Sequence, residues 1–155
     1  MSKIIIPLVV FLLAGFMIYR TWTNHKSADA NFSAGQQFLA ENGQRENVIT
    51  TDSGLQYEVL QTGTEHPGPK SRVKVHYHGE LLDGTVFDSS VERGEPISFG
   101  LNQVIKGWQE GVQLMVVGEK TRFYIPSNLG YGKNGAGPIP PSAVLIFDVE
   151  LLAIE

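Results

Sequence analysis

The sequence predicts an α+β fold, an antiparallel β-sheet wrapped over one short α-helix, with an apolar helix and a short spacer helix ahead of it. Three observations lead there. Four separate stretches alternate apolar and polar residues with the period of two that marks strands with one face on a core. Turn signals stand between them: Gly63, Pro67-Gly68-Pro69, Asp83-Gly84 and a long Gly/Pro-rich loop over 130–141. Within that region only residues 106–114 have helical spacing, with Trp108, Val112 and Met115 on one side. A sheet closed over a single helix is the layer arrangement that buries both apolar faces.

The chain divides into residues 1–23, 24–47 and 48–155. Its 155 residues have room for one ordinary domain and a short appendage. Residues 4–19 carry no charge and are followed by Arg20 and the interfacial residue type Trp22, which marks a membrane anchor. As a helix this run spans about 24 Å, short of a hydrocarbon core of about 30 Å unless residues 21–23 are drawn in. A cleaved secretory signal is the rival reading, since Lys3 gives a basic start and Ala28-Asp29-Ala30 has the form of a cleavage site. Arg20, Trp22, His25 and Lys26 stand where a short neutral stretch is expected, so the anchor is preferred. Orientation stays open, with Lys3 on one flank and Arg20 and Lys26 on the other. Residues 27–43 are polar with a thin apolar set, Phe32, Phe38 and Leu39. They are expected to form a spacer helix stopped by Asn42-Gly43 in the left-handed conformation.

The globular part begins near Val48. Leu55, Tyr57 and Val59 alternate with polar residues, and residues 73–81 do so over a longer run. Phe123 and Ile125 follow, then Leu145, Phe147, Val149 and Leu151. Composition removes several functions. A net charge of −4 with 12 Lys and Arg offers no basic field for a phosphate backbone, so nucleic acid is not an expected partner. With no cysteine, thiol catalysis, disulfides and zinc-thiolate sites are excluded. No serine sits in a nucleophile elbow and no phosphate-binding loop is present, and no cofactor is expected. His76 and His78 share a strand face, a pattern that fits a solvated face better than a metal site without a third ligand. Asp83 has an evident role as a turn residue. The feature left over is an aromatic set, Tyr77, Phe87, Phe99, Trp108, Tyr131 and Phe147, any one of which would otherwise simply fill a core.

These residues lie in motifs that resemble a known family. Val73-Lys74-Val75-His76-Tyr77-His78-Gly79, Asp83-Gly84-Thr85-Val86-Phe87-Asp88-Ser89-Ser90 and Val104-Ile105-Lys106-Gly107-Trp108-Gln109-Glu110-Gly111 are similar to successive signatures of FKBP-type peptidyl-prolyl cis-trans isomerases. Gly118-Glu119-Lys120, Leu129-Gly130-Tyr131-Gly132, Ile139-Pro140-Pro141 and the strand over 145–152 follow in the family's order. The resemblance covers about Thr50 to Glu155. Residues 38–57 look like the junction in bacterial members with an N-terminal helical extension. That extension is expected to be mostly missing here, with the apolar segment in its place.

The resemblance implies a pocket floored by Trp108 and walled by Phe87, Ile97, Val104, Ile139 and Phe147. It also implies polar contributions from Asp88, Tyr77, Tyr131 and the N–H of Ile105, with Asp88 held by Tyr77. The implied partners are proline-containing unfolded or nascent polypeptides, with macrolides as further ligands. The implied place is a bacterial inner membrane with the domain on its periplasmic side, or the periplasm after signal cleavage. A non-catalytic binding or chaperone module of the same fold is the alternative. Ile97 departs from the aromatic residue of well-known eukaryotic members. Residues 133–138 also form a loop one residue shorter, without the histidine some members have.

Overall fold

The computed structural model describes the backbone of residues 2–155 and the side chains from residue 11 onward. The chain runs α1 (Ser2–Asn42), β1 (Ile49–Thr50), β2 (Gln56–Gln61), β3 (Arg72–Glu80), β4 (Val86–Ser89), α2 (Ser90–Arg93), β5 (Ile97–Gly100), α3 (Lys106–Leu114), β6 (Lys120–Ile125) and β7 (Leu145–Ile154). Neighbouring strands lie in the order β1-β2-β6-β7-β3-β4, all antiparallel. β5 pairs with the first half of β3, on the edge that β4 takes further along. The antiparallel sheet over one short helix is thus the observed architecture.

The inward residues of β3, β6 and β7 include Val73, Val75, Phe123, Ile125, Val149 and Leu151, all fully buried together with Val112 and Met115. α3 reaches the sheet through glycines. A Cβ at Gly107 would stand 2.7 Å from Ile125 Cγ2, and one at Gly111 would stand 2.6 Å from Phe123 Cε1. Only residues without a side chain let the helix lie this low, and Trp108 and Val112, one turn apart, then enter the core.

Two expectations are corrected here. Lys106–Leu114 is not the only helix of the globular part, because α2 forms a single turn after β4. Ser89 caps it by accepting from Glu92 N–H at 3.1 Å, and Gly94, at φ +74°, ends it. The Ser-x-x-Glu pattern of Ser89 and Glu92 is the local signal for it. The second correction concerns the N-terminus, where the expected pair of helices is one continuous helix, α1. Its end does not use a left-handed Gly43. The Gly43 N–H returns to the Leu39 carbonyl at 2.9 Å, and three-residue turns at Gln44 and Arg45 follow. Glycine serves closeness instead: a Cβ at Gly43 would lie 2.9 Å from Gln56 Nε2.

The second half of α1 is no free spacer. It packs on the outer face of the sheet, where Leu39 joins Val48, Tyr124 and Val144 in a second buried cluster flanked by Phe38 and Ile146. Polar contacts fix the register. Gln56 Nε2 donates to the Leu39 carbonyl and Asn42 Nδ2 to Gln56 Oε1, both at 2.8 Å, and Asn31 Nδ2 reaches the Pro141 carbonyl at 2.8 Å. Arg45 then ties Asn42 to Tyr124 Oη and pairs with Glu58 at 3.1 Å. A folded unit that starts at Val48 would therefore leave Tyr124 and Val144 uncovered. Leu39→Ala is expected to cost about 2 kcal/mol or more in urea unfolding, as for other buried leucines. A loss under about 0.5 kcal/mol, the range of surface substitutions, would show that the contact is dispensable.

The apolar run over 4–19 lies in the first half of α1. Its residues 4–10 fall outside those whose side chains are described, and among the described residues no helix is long and apolar enough to cross a membrane. Phe11, Leu12, Phe16, Met17, Ile18 and Trp22 are exposed.

Candidate functional site

β3 supplies the centre of the site because its inward positions run Val73, Val75, Tyr77, Gly79. Gly79 is paired with Phe147 on one side and Asp88 on the other. A Cβ there would stand 2.7 Å from both Phe87 Cζ and Phe147 Cε1, so its absence lets those rings meet edge to face with centroids 5.2 Å apart. Trp108, brought in by α3, packs against Tyr77 at 5.3 Å, Phe147 at 5.1 Å and Phe99 at 5.4 Å. Its Nε1 is buried with no hydrogen-bond acceptor among the described residues. The indole is thus held by packing, with no side-chain hydrogen bond among the described residues.

Above Trp108 opens a cavity of about 750 Å³. It is lined by all ten residues singled out in the sequence: Tyr77, Phe87, Asp88, Ile97, Val104, Ile105, Trp108, Tyr131, Ile139 and Phe147. Phe99, Gln103, Ala136, Gly137 and Pro138 complete the wall. Sequence reasoning gave Gln103 no place in the site and reached 136–138 only as part of the shortened loop over 133–138 at its rim. Their signal was weak, since Gln103 precedes a recognised motif and 136–138 belong to a loop without periodicity. Ile105 is the residue just before α3, and its carbonyl accepts from Trp108 and Gln109 N–H. Its own N–H has no protein acceptor among the described residues. The Tyr131 side chain is 41% exposed and its hydroxyl makes no hydrogen bond among those residues. Two donors are thereby left open at a cavity lined mainly by apolar and aromatic side chains.

Two polar residues of the lining, Tyr77 and Asp88, are joined by Arg93, which lies outside it. Tyr77 Oη donates to Asp88 Oδ2 at 2.5 Å, Arg93 pairs with Asp88 Oδ1, and Arg93 Nη2 donates to Tyr77 Oη at 3.0 Å. The guanidinium also lies over the Tyr77 ring, 5.7 Å from its centroid. Sequence reasoning missed Arg93, which depends on the unforeseen turn of α2. Partial burial acts to raise the Asp88 pKa, but hydrogen bonds from Tyr77 and Arg93 outweigh it and hold the carboxyl below the ordinary carboxylate range. Burial, followed by donation to Asp88, pushes the Tyr77 phenol up. Asp88 is therefore an anion and Tyr77 a neutral donor near neutral pH.

His76 and His78 do not enter this cavity. Their Nδ1 atoms lie 2.9 Å from Ser90 Oγ and Ser89 Oγ, which pins the start of α2 to β3. Asp83 accepts from Thr85 N–H at 2.9 Å within the β3–β4 turn, with Gly84 at φ +86°.

An antiparallel sheet over one short helix, with an aromatic cavity between them, defines a fold class found in comparisons with known proteins. The profile of the FKBP-type peptidyl-prolyl cis-trans isomerase matches residues 63–152. The profile of the domain amino-terminal to FKBP-type peptidyl-prolyl isomerases matches residues 13–59. The chain belongs to the FKBP-type peptidyl-prolyl cis-trans isomerase family. It is 60% identical over 131 residues to the FKBP-type isomerase FkpA of Aeromonas hydrophila, covering 84% of this chain and 49% of that one. It is 50% identical over 140 residues to the FKBP-type 22 kDa isomerase of Escherichia coli, covering 84% and 68%. The crystal structure of FkpA from Escherichia coli superposes with a TM-score of 0.95 at 36% identity, over 100% of this chain and 73% of that one. The chain spans about half the length of most of the curated relatives first matched. The amino-terminal domain profile begins at residue 13, inside the apolar run, so the end of that run and the helix after it match part of the extension.

Proposed function

We propose that the protein is a peptidyl-prolyl cis-trans isomerase acting on proline-containing unfolded or nascent polypeptides. The observation that carries this is the cavity over Trp108, lined mainly by aromatic and aliphatic side chains, with the Asp88 carboxylate on one wall and the open donors of Ile105 and Tyr131 beside it. An X-Pro amide rotates over a barrier of about 18–20 kcal/mol because conjugation holds it planar, and unaided exchange takes tens of seconds or more. Twisting the bond removes that conjugation and leaves a less polar carbonyl. A water-poor aromatic cavity therefore favours the twisted form over the planar one, which is differential binding of the transition state. Lowering the barrier by about 5 kcal/mol gives between three and four powers of ten in rate without covalent chemistry.

In this proposal the proline ring rests on Trp108 between Phe87, Phe147 and Ile139, with Ile97 and Val104 at the side. The N–H of Ile105 and the hydroxyl of Tyr131 donate to carbonyls of the bound peptide. Asp88, fixed by Tyr77 and Arg93, faces the rotating amide. Ile97 and the short loop over 133–138 set the rim and hence the affinity for macrolide ligands. Tyr131→Phe is expected to lower kcat/KM on a Xaa-Pro peptide by about 1 kcal/mol, roughly five-fold, with stability unchanged. The deciding experiment is a protease-coupled prolyl peptide assay on the full chain. A folded protein that binds unfolded polypeptide yet accelerates no prolyl exchange would leave the binding-module alternative in its place.

The proposal extends to location. The apolar run over 4–19 holds the chain at a bilayer with the domain on the periplasmic side of a bacterial inner membrane, where exported polypeptides fold. Resistance to alkaline extraction with residues 1–10 retained supports this. A soluble product that starts at Asn31 supports signal cleavage instead, and protection from external protease in spheroplasts overturns the sidedness.

A further inference from the structure

We propose that Asn134, in the loop that roofs the cavity, is a site of spontaneous succinimide formation, and that its isoaspartyl product loosens the cavity rim. Asn-Gly is the dipeptide in which the backbone nitrogen of the second residue most readily reaches the asparagine side chain, because no Cβ obstructs the ring. The chain contains two such pairs, Asn42-Gly43 and Asn134-Gly135.

Their surroundings differ. Asn42 is buried, its Nδ2 donates to Gln56 Oε1 at 2.8 Å, and its Oδ1 accepts from Arg45 at 3.1 Å. The Gly43 N–H is held by the Leu39 carbonyl at 2.9 Å. Neither reacting group is free to turn. Asn134 is exposed, and neither its side chain nor the Gly135 N–H makes a hydrogen bond among the described residues. Asp83-Gly84 has the same form with an acid in the first place. There the carboxylate is held ionised by the Thr85 N–H and Gly84 N–H donates to the Leu81 carbonyl at 3.0 Å, so both partners are occupied.

The reaction needs water alone. The Gly135 nitrogen, after losing its proton to solvent base, forms a bond to Asn134 Cγ, and the Cγ–Nδ2 bond breaks with release of ammonia. Water then opens the ring at either carbonyl. One opening gives aspartate and the other gives isoaspartate, in which the main chain runs through the side-chain carbonyl and gains a methylene. No oxidant or reductant takes part.

The loop makes that extra atom consequential. Gly135 sits at φ +67°, and a Cβ there would come within 2.2 Å of the Ile139 carbonyl oxygen, so the backbone at this point has no slack. The next residue, Ala136, exchanges two hydrogen bonds with Ile139, at 3.0 and 2.9 Å, and both residues line the cavity. The glycine that permits this packing is also the residue that makes the preceding bond labile.

The test is incubation of the full chain at mildly alkaline pH, followed by peptide mapping with fragmentation that distinguishes aspartate from isoaspartate. Conversion at position 134 with Asn42 still an amide is expected. Equal conversion at Asn42, or an Asn134 that outlasts the other asparagines, overturns the assignment. Separation of the more acidic product by ion exchange then allows hydrogen-exchange measurement. Exchange at the Ala136 and Ile139 amides is expected to be about five-fold faster than in fresh protein, the equivalent of one net hydrogen bond. Unchanged exchange at both amides overturns the rim effect. Asn134→Gln is expected to stay homogeneous under the same incubation, and fresh Asn134→Asp to keep normal exchange, since it adds the charge without the methylene. None of these readouts requires isomerase activity.

Discussion

Trp108→Ala is expected to lose about 3–5 kcal/mol of stability and nearly all isomerase activity. The indole is 5% exposed and touches Tyr77, Phe99 and Phe147, so its removal leaves a void that three aromatic side chains bounded. Those rings cannot collapse inward, since Phe147 is fixed by its β7 register and Tyr77 by its hydroxyl partners. No hydrogen bond among the described residues is lost, because Trp108 Nε1 has no acceptor there, so the cost is one of packing and transfer. Because unfolding alone would abolish activity, Trp108→Leu separates the two effects. Leucine refills part of the void and should recover about half of the stability, while a flat floor for the proline ring is still missing. Urea unfolding and prolyl peptide turnover on both variants check this. A folded Trp108→Leu protein with full turnover would remove Trp108 from the proposed mechanism.

The parts of this site that were legible in the sequence are those carried by strand alternation. Tyr77 and Phe147 fall on inward strand positions, and period two places them on one face whatever the exact turn geometry. Phe87 does not follow this rule, since a register shift opposite Gly79 and Glu80 brings Phe87 and its neighbour Asp88 to the same cavity. Trp108 follows from helical spacing with Val112. Arg93 was not legible, because its position depends on a four-residue helix whose capping signal is short and easily absorbed into a turn. The continuity of α1 was hidden for a different reason. Residues 20–30 are polar beside an apolar run, and a change of composition reads as a boundary, although nothing in them breaks a helix: no proline or glycine occurs there. The docking of Leu39 was illegible because the partner face is made by outward residues of β6 and β7, Tyr124 and Ile146. Alternation assigns these to solvent until something is known to cover them. Gly43 shows the same limit in miniature, since a glycine after a helix reads equally as a left-handed stop or as room for Gln56.

Asp88→Ala is expected to lower kcat/KM by about 1–2 kcal/mol, roughly five- to thirty-fold, while the fold persists. The carboxylate orients two groups of the wall, Tyr77 Oη and the Arg93 guanidinium, and its loss leaves the phenol free to turn and Arg93 free to leave the Tyr77 face. The pH dependence distinguishes an anion at the site from a mere tie across the β4–α2 corner. Burial acts to raise the Asp88 pKa, yet Tyr77 and Arg93 together bring it below the ordinary value. A group with a depressed folded pKa contributes stability that is present above its unfolded pKa of about 3.9 and is lost as pH falls through the folded value. Activity that depends on ionised Asp88 should therefore be flat across the neutral range, with its acid limb below about pH 4. Tyr77→Phe removes one of the two groups that depress the pKa, so it should move that limb upward as well as reduce the rate. If the limb stays in place in a folded Tyr77→Phe protein while the rate falls, the phenol acts on the peptide directly and Asp88 is a tie alone. An Asp88→Asn variant supplies the reference, because it keeps the shape of the corner and has no carboxyl to titrate.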